Sequence, residues 1–200
     1  MSETKTIIIL ANSVRSGARC IAGKELLPRE DGTFDGGRWI RLADHGTKEG
    51  AVSARVAHCP GHGWVKTLDI VKVVLESPCN NPDHPEDWWL EPSQPWQFVE
   101  RRTVADIPLL ADHPPTIWYA AESDAVPAGY VRAMGQQAAS LYIVKAPEQW
   151  KFTYHKEYIS FKGYNKKVRR LELTSGGQYH EFSVSGLSHK MGGHNHEATR

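Results

Sequence analysis

The residues near the start that could do chemistry are Arg15, Arg19, Lys24, Arg38 and Arg41, with Trp39 set between two of them. They lie among small residues, in Arg15-Ser16-Gly17-Ala18-Arg19 and in Gly36-Gly37-Arg38-Trp39-Ile40-Arg41. Cations in flexible surroundings suit a phosphate backbone, and an indole beside them suits a stacked base, which contributes roughly 1–3 kcal/mol. Strand alternation sends Trp39 and Arg41 to one face, opposite Ile40. The competing reading makes Trp39 a core residue and pairs Arg19 or Arg41 with Glu25 or Asp44.

A second basic and aromatic set lies far along the chain: Lys162, Lys166, Lys167, Arg169 and Arg170 with Tyr154, Tyr158 and Tyr164. Lysines at a hairpin tip also serve solubility alone, but two such sets raise the prospect of one shared groove. Cys59 with His62, and Cys79 with His84, are donors of the kind zinc takes. The second pair is loosely spaced, so no metal site is assigned and no cofactor is expected. Cys20 beside Arg19, and the neighbours Glu86 and Asp87, are the materials of a nucleophile or an acid–base pair. No phosphate-binding Walker loop, Gly-x-Ser-x-Gly or His-Glu-x-x-His accompanies them. A binding protein is therefore expected before an enzyme, with no catalytic residue assigned.

These side chains need strands to hold them. Residues 7–10, Ile-Ile-Ile-Leu, form a continuous apolar run ending in turn-formers, the pattern of a buried strand. Further strands are expected at 19–24, around Trp39, at 68–75 and at 140–146. Four more alternate over 151–154, 158–161, 168–173 and 179–184, a meander with Gly-containing turns that suits a small barrel. Between 77 and 97 five prolines preclude a long helix, while Trp88, Trp89 and Trp96 are too apolar for a free linker. An ordered connector is expected there, followed by one or two short helices near 106–110 and 127–134.

The 200 residues carry a net charge of +1, with 40% hydrophobic and 24% charged residues, so any basic surface must be local. An odd count of 3 cysteines does not make a disulfide framework. The opening residues lack a signal peptide, and their apolar run is too short to cross a bilayer. A cytoplasmic protein without membrane contact is expected.

In combination, three segments resemble one family. Ala11-Asn12-Ser13, Gly17-Ala18-Arg19-Cys20-Ile21-Ala22-Gly23-Lys24 and Gly36-Gly37-Arg38-Trp39-Ile40-Arg41 are similar to the opening of the dual OB-containing domain family. His84-Pro85-Glu86-Asp87-Trp88 resembles its central signature. Residues 168–173, Tyr179 and Ser183-Val184-Ser185 resemble its second barrel. Leu42 stands where that pattern has proline, and Ser185-Gly186-Leu187 replaces a Thr-Asp-Pro-like end. The resemblance implies two tandem oligonucleotide/oligosaccharide-binding (OB) barrels, a nucleic-acid or nucleotide ligand, and a setting in bacterial conflict systems.

The reading that follows is a mostly β chain of two small OB-like barrels joined by a Pro/Trp-rich connector with one or two short helices. The first barrel is expected over 1–76, the connector over 77–138, the second barrel, its closure left open, over 139–187, and a flexible tail over 188–200. The expected ligand is single-stranded nucleic acid or a nucleotide, gripped by Arg15, Arg19, Lys24, Arg38, Trp39, Arg41, Trp88, Lys166 and Arg169. The alternative is an adaptor or small-ligand sensor presenting a barrel face to a protein partner.

Overall fold

The computed structural model describes residues 2–15, 17–47, 50–114, 133, 140–145, 150–159, 163–175 and 178–183. The helix expected over 127–134, apart from Ala133, the tail over 188–200 and the Lys162 position lie outside these residues, as do the side chains of Arg15 and Lys166.

The strands are β1 (Glu3–Arg15), β2 (Ala18–Pro28), β3 (Phe34–Ala43), the short pair β4 (His58–Cys59) and β5 (Gly63–Trp64), β6 (Asp69–Pro78), β7 (Asp87–Leu90) and β8 (Gln97–Arg101). A 3-10 helix spans Val104–Leu110, and β9 (Trp150–Ile159), β10 (Tyr164–Ser175) and β11 (Gln178–Ser183) follow. The first sheet runs β1-β2-β3-β7-β6 and closes on itself, because β6 also pairs with β1. All contacts in the ring are antiparallel except β3 with β7, which is parallel. This is a closed five-stranded barrel of the OB kind. β8 adds to the free length of β6 ahead of β7.

The continuous run in β1 is explained by burial on both sides. Ile7 and Ile9 face the interior with Ile21, Ile40 and Leu42, whereas Ile8 packs outside with Leu26, Ile70 and Leu110. Each of these isoleucines is at most 1% exposed and contributes about 1.5–3 kcal/mol by burial. Leu110 comes from the 3-10 helix, which lies against the outside of the barrel. That helix opens on Thr103, whose N–H and hydroxyl both bond to the Asp106 carboxylate.

The stretch expected as a connector supplies barrel structure instead. β7 is its four-residue closing strand, with Arg41 opposite Asp87 and Leu42 opposite Trp88. Trp96 is 2% exposed in the interior core. The first barrel therefore does not end at 76. Prolines at 78, 82, 85, 92 and 95 flank β7 without entering it, so a strand this short is hidden by its neighbours. Residues 141–145, expected as a strand, are in none; Ile143 is joined to Asp112 through their backbones and the Asp112 carboxylate.

In the second half, β10 pairs with β9 and β11 in an antiparallel sheet. The strand expected at 151–154 and the described part of that at 158–161, through Ile159, are one, since nothing between Tyr154 and Tyr158 breaks an extended chain; residues 160 and 161 lie outside the described residues. The turn comes at Gly163, whose φ of +68° suits glycine.

Candidate ligand-binding site on the barrel

In OB barrels the outer face of the second and third strands, with the loops beside it, takes oligonucleotides and oligosaccharides. Here that face is divided in two. At one end Lys24 sits directly opposite Trp39. The Lys24 ammonium, in a residue 4% exposed, donates to the Leu110 carbonyl at 2.8 Å and to Asp112 Oδ1 at 2.5 Å. Trp39 Nε1 donates to Asp112 Oδ2 at 2.9 Å. Both side chains expected to hold a ligand are thus engaged in anchoring the segment that follows the 3-10 helix. The alternation that puts Trp39 and Arg41 on one face holds; the roof over half of that face comes from residues more than seventy positions away.

The other end is open. A cavity of about 620 Å³ is lined by Cys20 and Arg41 from β2 and β3, Asp87 and Trp89 from β7, and Asn81 and His84 from the β6–β7 loop. Arg41 donates from Nε to Asp87 Oδ1 at 2.5 Å and from Nη2 to Oδ2 at 2.7 Å. This fork leaves Nη1 without a partner among the described residues. Burial works against the charged guanidinium, but Asp87 outweighs it and keeps Arg41 cationic. Trp89 is held flat by His45, the ring centres 4.0 Å apart and the planes 15° from parallel. The Cys79 thiol on the same cavity is pushed up to about 11, first by burial and then by Asp87, against the opposing effect of Arg41. It is protonated at neutral pH and no nucleophile there.

One wall is the loop after β3, organised by Asp44. Its carboxylate accepts from Gly46 N at 2.8 Å and Ser53 N at 3.1 Å. Burial opposes ionisation, yet the bonds to Gly46 and Ser53 prevail and hold the carboxyl below its usual value. Stability from such a group is fully present above its unfolded value, near 3.9, and is lost as pH falls through the lower folded value. Asp44→Ala is expected to cost about 1–2 kcal/mol at pH 7. Urea denaturation of variant and parent should show that gap shrinking toward pH 3; a constant gap would deny Asp44 this role.

The other expected residues are scattered. Arg19 points to one mouth of the barrel, where Nη1 donates to Asn12 Oδ1 at 3.0 Å and the guanidinium stands 5.7 Å from the Trp64 ring centre. Arg38 lies 3.6 Å from both Glu3 and Glu25 and 4.6 Å above Trp88, whose ring packs on the core. Arg15 closes β1 opposite Ala18. Lys166 stands opposite Glu157 in β10, and Arg169 opposite Tyr154, so both are remote in sequence and sheet from the barrel cavity. Of the expected residues whose side chains are described, Arg41 alone lines the cavity.

Glu86 and Asp87, adjacent in sequence, point apart. Asp87 serves Arg41, while Glu86 Oε1 accepts from the Ser140 hydroxyl and Oε2 has no partner among the described residues. The four possible zinc donors fall in two places, Cys59 and His62 in one and Cys79 and His84 on the cavity. Cys59 is fully buried in the core, and His62 stacks on Phe98 and bonds to Asp69. Cys79 lines the cavity, and His84 Nδ1 meets Ser140 Oγ at 3.0 Å. Among the described residues no three His, Cys, Asp or Glu side chains group to hold a metal ion.

Of the other cavity residues, the sequence offers Asp87 as acid–base material, Cys79 as a metal-type donor and Trp89 as a connector tryptophan, none of them as ligand contacts, and it gives no signal for Asn81. The family-like segment His84–Trp88 contains Asp87 and borders the others.

A family model described as the dual OB-containing domain matches residues 5–192. No curated protein matches the chain.

Proposed function

The chain belongs to the dual OB-containing domain family, and from that premise we propose that it binds a phosphorylated nucleotide, free or as a unit of a single strand, in the cavity over β3 and β7. OB barrels commonly bind nucleic acids or other ligands on this face. The observation that carries the reading is the open half of that face, where Arg41, Trp89 and Asn81 converge on a space of about 620 Å³. Arg41 has an N–H to offer a phosphate while Asp87 holds its plane. Trp89 supplies apolar surface to a base, and the Asn81 amide, whose Oδ1 accepts from Asp83 N at 3.1 Å and whose Nδ2 donates to Asp87 Oδ2 at 3.4 Å, keeps a second N–H and a second lone pair for a base edge.

Calorimetric titration with the four nucleoside 5′-monophosphates at low salt tests this. The parent protein is expected to bind at least one of them. Arg41→Gln should weaken binding roughly tenfold or more, the range for a lost hydrogen bond to a charged group. Trp89→Ala should weaken it comparably, and it guards against the case where Arg41→Gln unfolds because Asp87 is left buried and unpaired. Arg19→Ala, away from the cavity, should stay within twofold. No binding by the parent protein, or equal loss in the Arg19 variant, would end this assignment.

A further inference from the structure

The sheet formed by β9, β10 and β11 carries a pattern that the barrel cavity does not use. The regular register of β9 and β10 fixes which positions share a side. One side holds Trp150, Phe152, Tyr154, Lys156 and Tyr158 from β9, Arg169, Leu171 and Leu173 from β10, and His180 and Phe182 from β11, with Leu173 and His180 buried at the Trp150 end. The four β9 rings are 51%, 42%, 51% and 63% exposed. Large aromatics standing in solvent in one row are unusual in a protein that has no use for them.

Charge separates the two sides. No Asp or Glu occupies any register position on the aromatic side, whereas Glu157, Glu172 and Glu181 all fall on the other. The other side neutralises its own charges, with Lys151 3.6 Å from Glu172 and Arg170 3.3 Å from Glu181. On the aromatic side Arg169 has no carboxylate partner among the described residues. Its guanidinium lies 6.0 Å from the Tyr154 ring centre. Tyr164, in register with Ile159, belongs to the opposite side.

We propose that the Trp150–Tyr158 row with Arg169 and Lys156 is a second binding surface, a track for single-stranded nucleic acid. Alternate residues along a strand stand about 6.7 Å apart, so the row extends over about 27 Å from Trp150 to Tyr158. That length offers ring faces to several splayed bases, with the cations along the backbone. Rings in a row with cations and without carboxylates match a polyanion with exposed base faces. They do not match an acidic or basic peptide, which would leave the rings or the cations idle. Duplexes hide their base faces and are poor occupants.

The surface is independent of the barrel cavity, and the experiment separates the two. Fluorescein-labelled 12-mers of single-stranded DNA and RNA, and a DNA duplex, are titrated by anisotropy at several salt concentrations, in parallel with the mononucleotide calorimetry. The single strands are expected to bind at least tenfold more tightly than the duplex, and the two single-strand arms show which sugar is preferred. The variant Phe152→Ala/Tyr154→Ala/Tyr158→Ala should weaken strand binding by roughly tenfold per ring removed, with mononucleotide binding intact. Arg169→Gln, which leaves the rings in place, should weaken it and flatten the salt dependence by about one unit of slope. Lys151→Ala on the opposite side should change nothing. Parent-like strand binding by a folded triple variant together with an unchanged Arg169→Gln slope would overturn the track, as would a parent protein that binds mononucleotides but no strand.

Discussion

Gly23→Ala is expected to unfold the barrel or to leave it barely stable. A Cβ placed on Gly23 would lie 2.0 Å from the Ile8 carbonyl oxygen, 2.8 Å from its carbon and 3.2 Å from Ile9 Cα. All three are backbone atoms of the strand opposite, so no side-chain rotation relieves the clash. The closeness follows from the topology. β1 pairs with β6 through residues 3–8 and with β2 from Ile7 onward, and its register shifts between Ile9 and Ala11 beside Gly23. Glycine at such a bend lets one strand cross another closely. Separating them would tear the interior row of Ile7, Ile9, Ile21 and Ile40. A loss above about 4 kcal/mol is expected, a large part of the 5–15 kcal/mol that holds a typical domain together. Gly36→Ala is the contrast. Its Cβ would meet Leu110 Cδ2 at 3.3 Å, the end of a side chain that can yield, so a loss below about 1.5 kcal/mol is expected. Urea denaturation measures both. A Gly23 variant with the parent's midpoint would mean that β1 and β2 do not approach this closely.

How much of this was legible follows from the range of each interaction. Period-two patterns are local, so β2, β3, β6, β10 and β11 could be read, as could the shared face of Trp39 and Arg41. The role of the Pro/Trp-rich stretch could not. β7 earns its place through a parallel partner, Arg41 opposite Asp87, some forty residues back, and no local pattern encodes that pairing. The same distance hid the site. Lys24 reads as a surface cation until Asp112 is beside it, and Arg41 reads as one of five arginines and lysines until Asp87 and Trp89 frame it. The second set of cations shows the reverse. Counting along the sequence joined Tyr154, Tyr158 and Tyr164, while the register assigns the third to the other side of the sheet. Alternation carried across the Gly163 turn would have shown this, had the turn been fixed at that residue.

Asp112→Ala is expected to cost about 3–5 kcal/mol, the usual result of leaving a buried charge without its partner. One carboxylate joins β2, β3 and the segment around Ile143. Oδ1 takes the Lys24 ammonium, and Oδ2 takes Trp39 Nε1 and the Ile143 N–H, each at 2.9 Å. The ammonium would keep only the Leu110 carbonyl in a place where water hardly reaches. The reciprocal change is milder, because Lys24→Met leaves Asp112 with two donors and an opening to solvent, its side chain 22% exposed. The pair Lys24→Met/Asp112→Leu should recover most of the loss, since apolar packing substitutes well for a buried ion pair. A thermodynamic cycle over Lys24→Met, Asp112→Leu and their pair separates this from a surface pair, which would give less than about 1 kcal/mol throughout. The same variants decide what Lys24 is for. If it fastens the roof, Lys24→Met keeps nucleotide affinity and Asp112→Ala loses stability. If instead Lys24→Met folds as the parent does and loses nucleotide binding, the ligand's charge lies at the roofed end of the face. The open cavity around Arg41 would then be the approach to the site rather than the site itself.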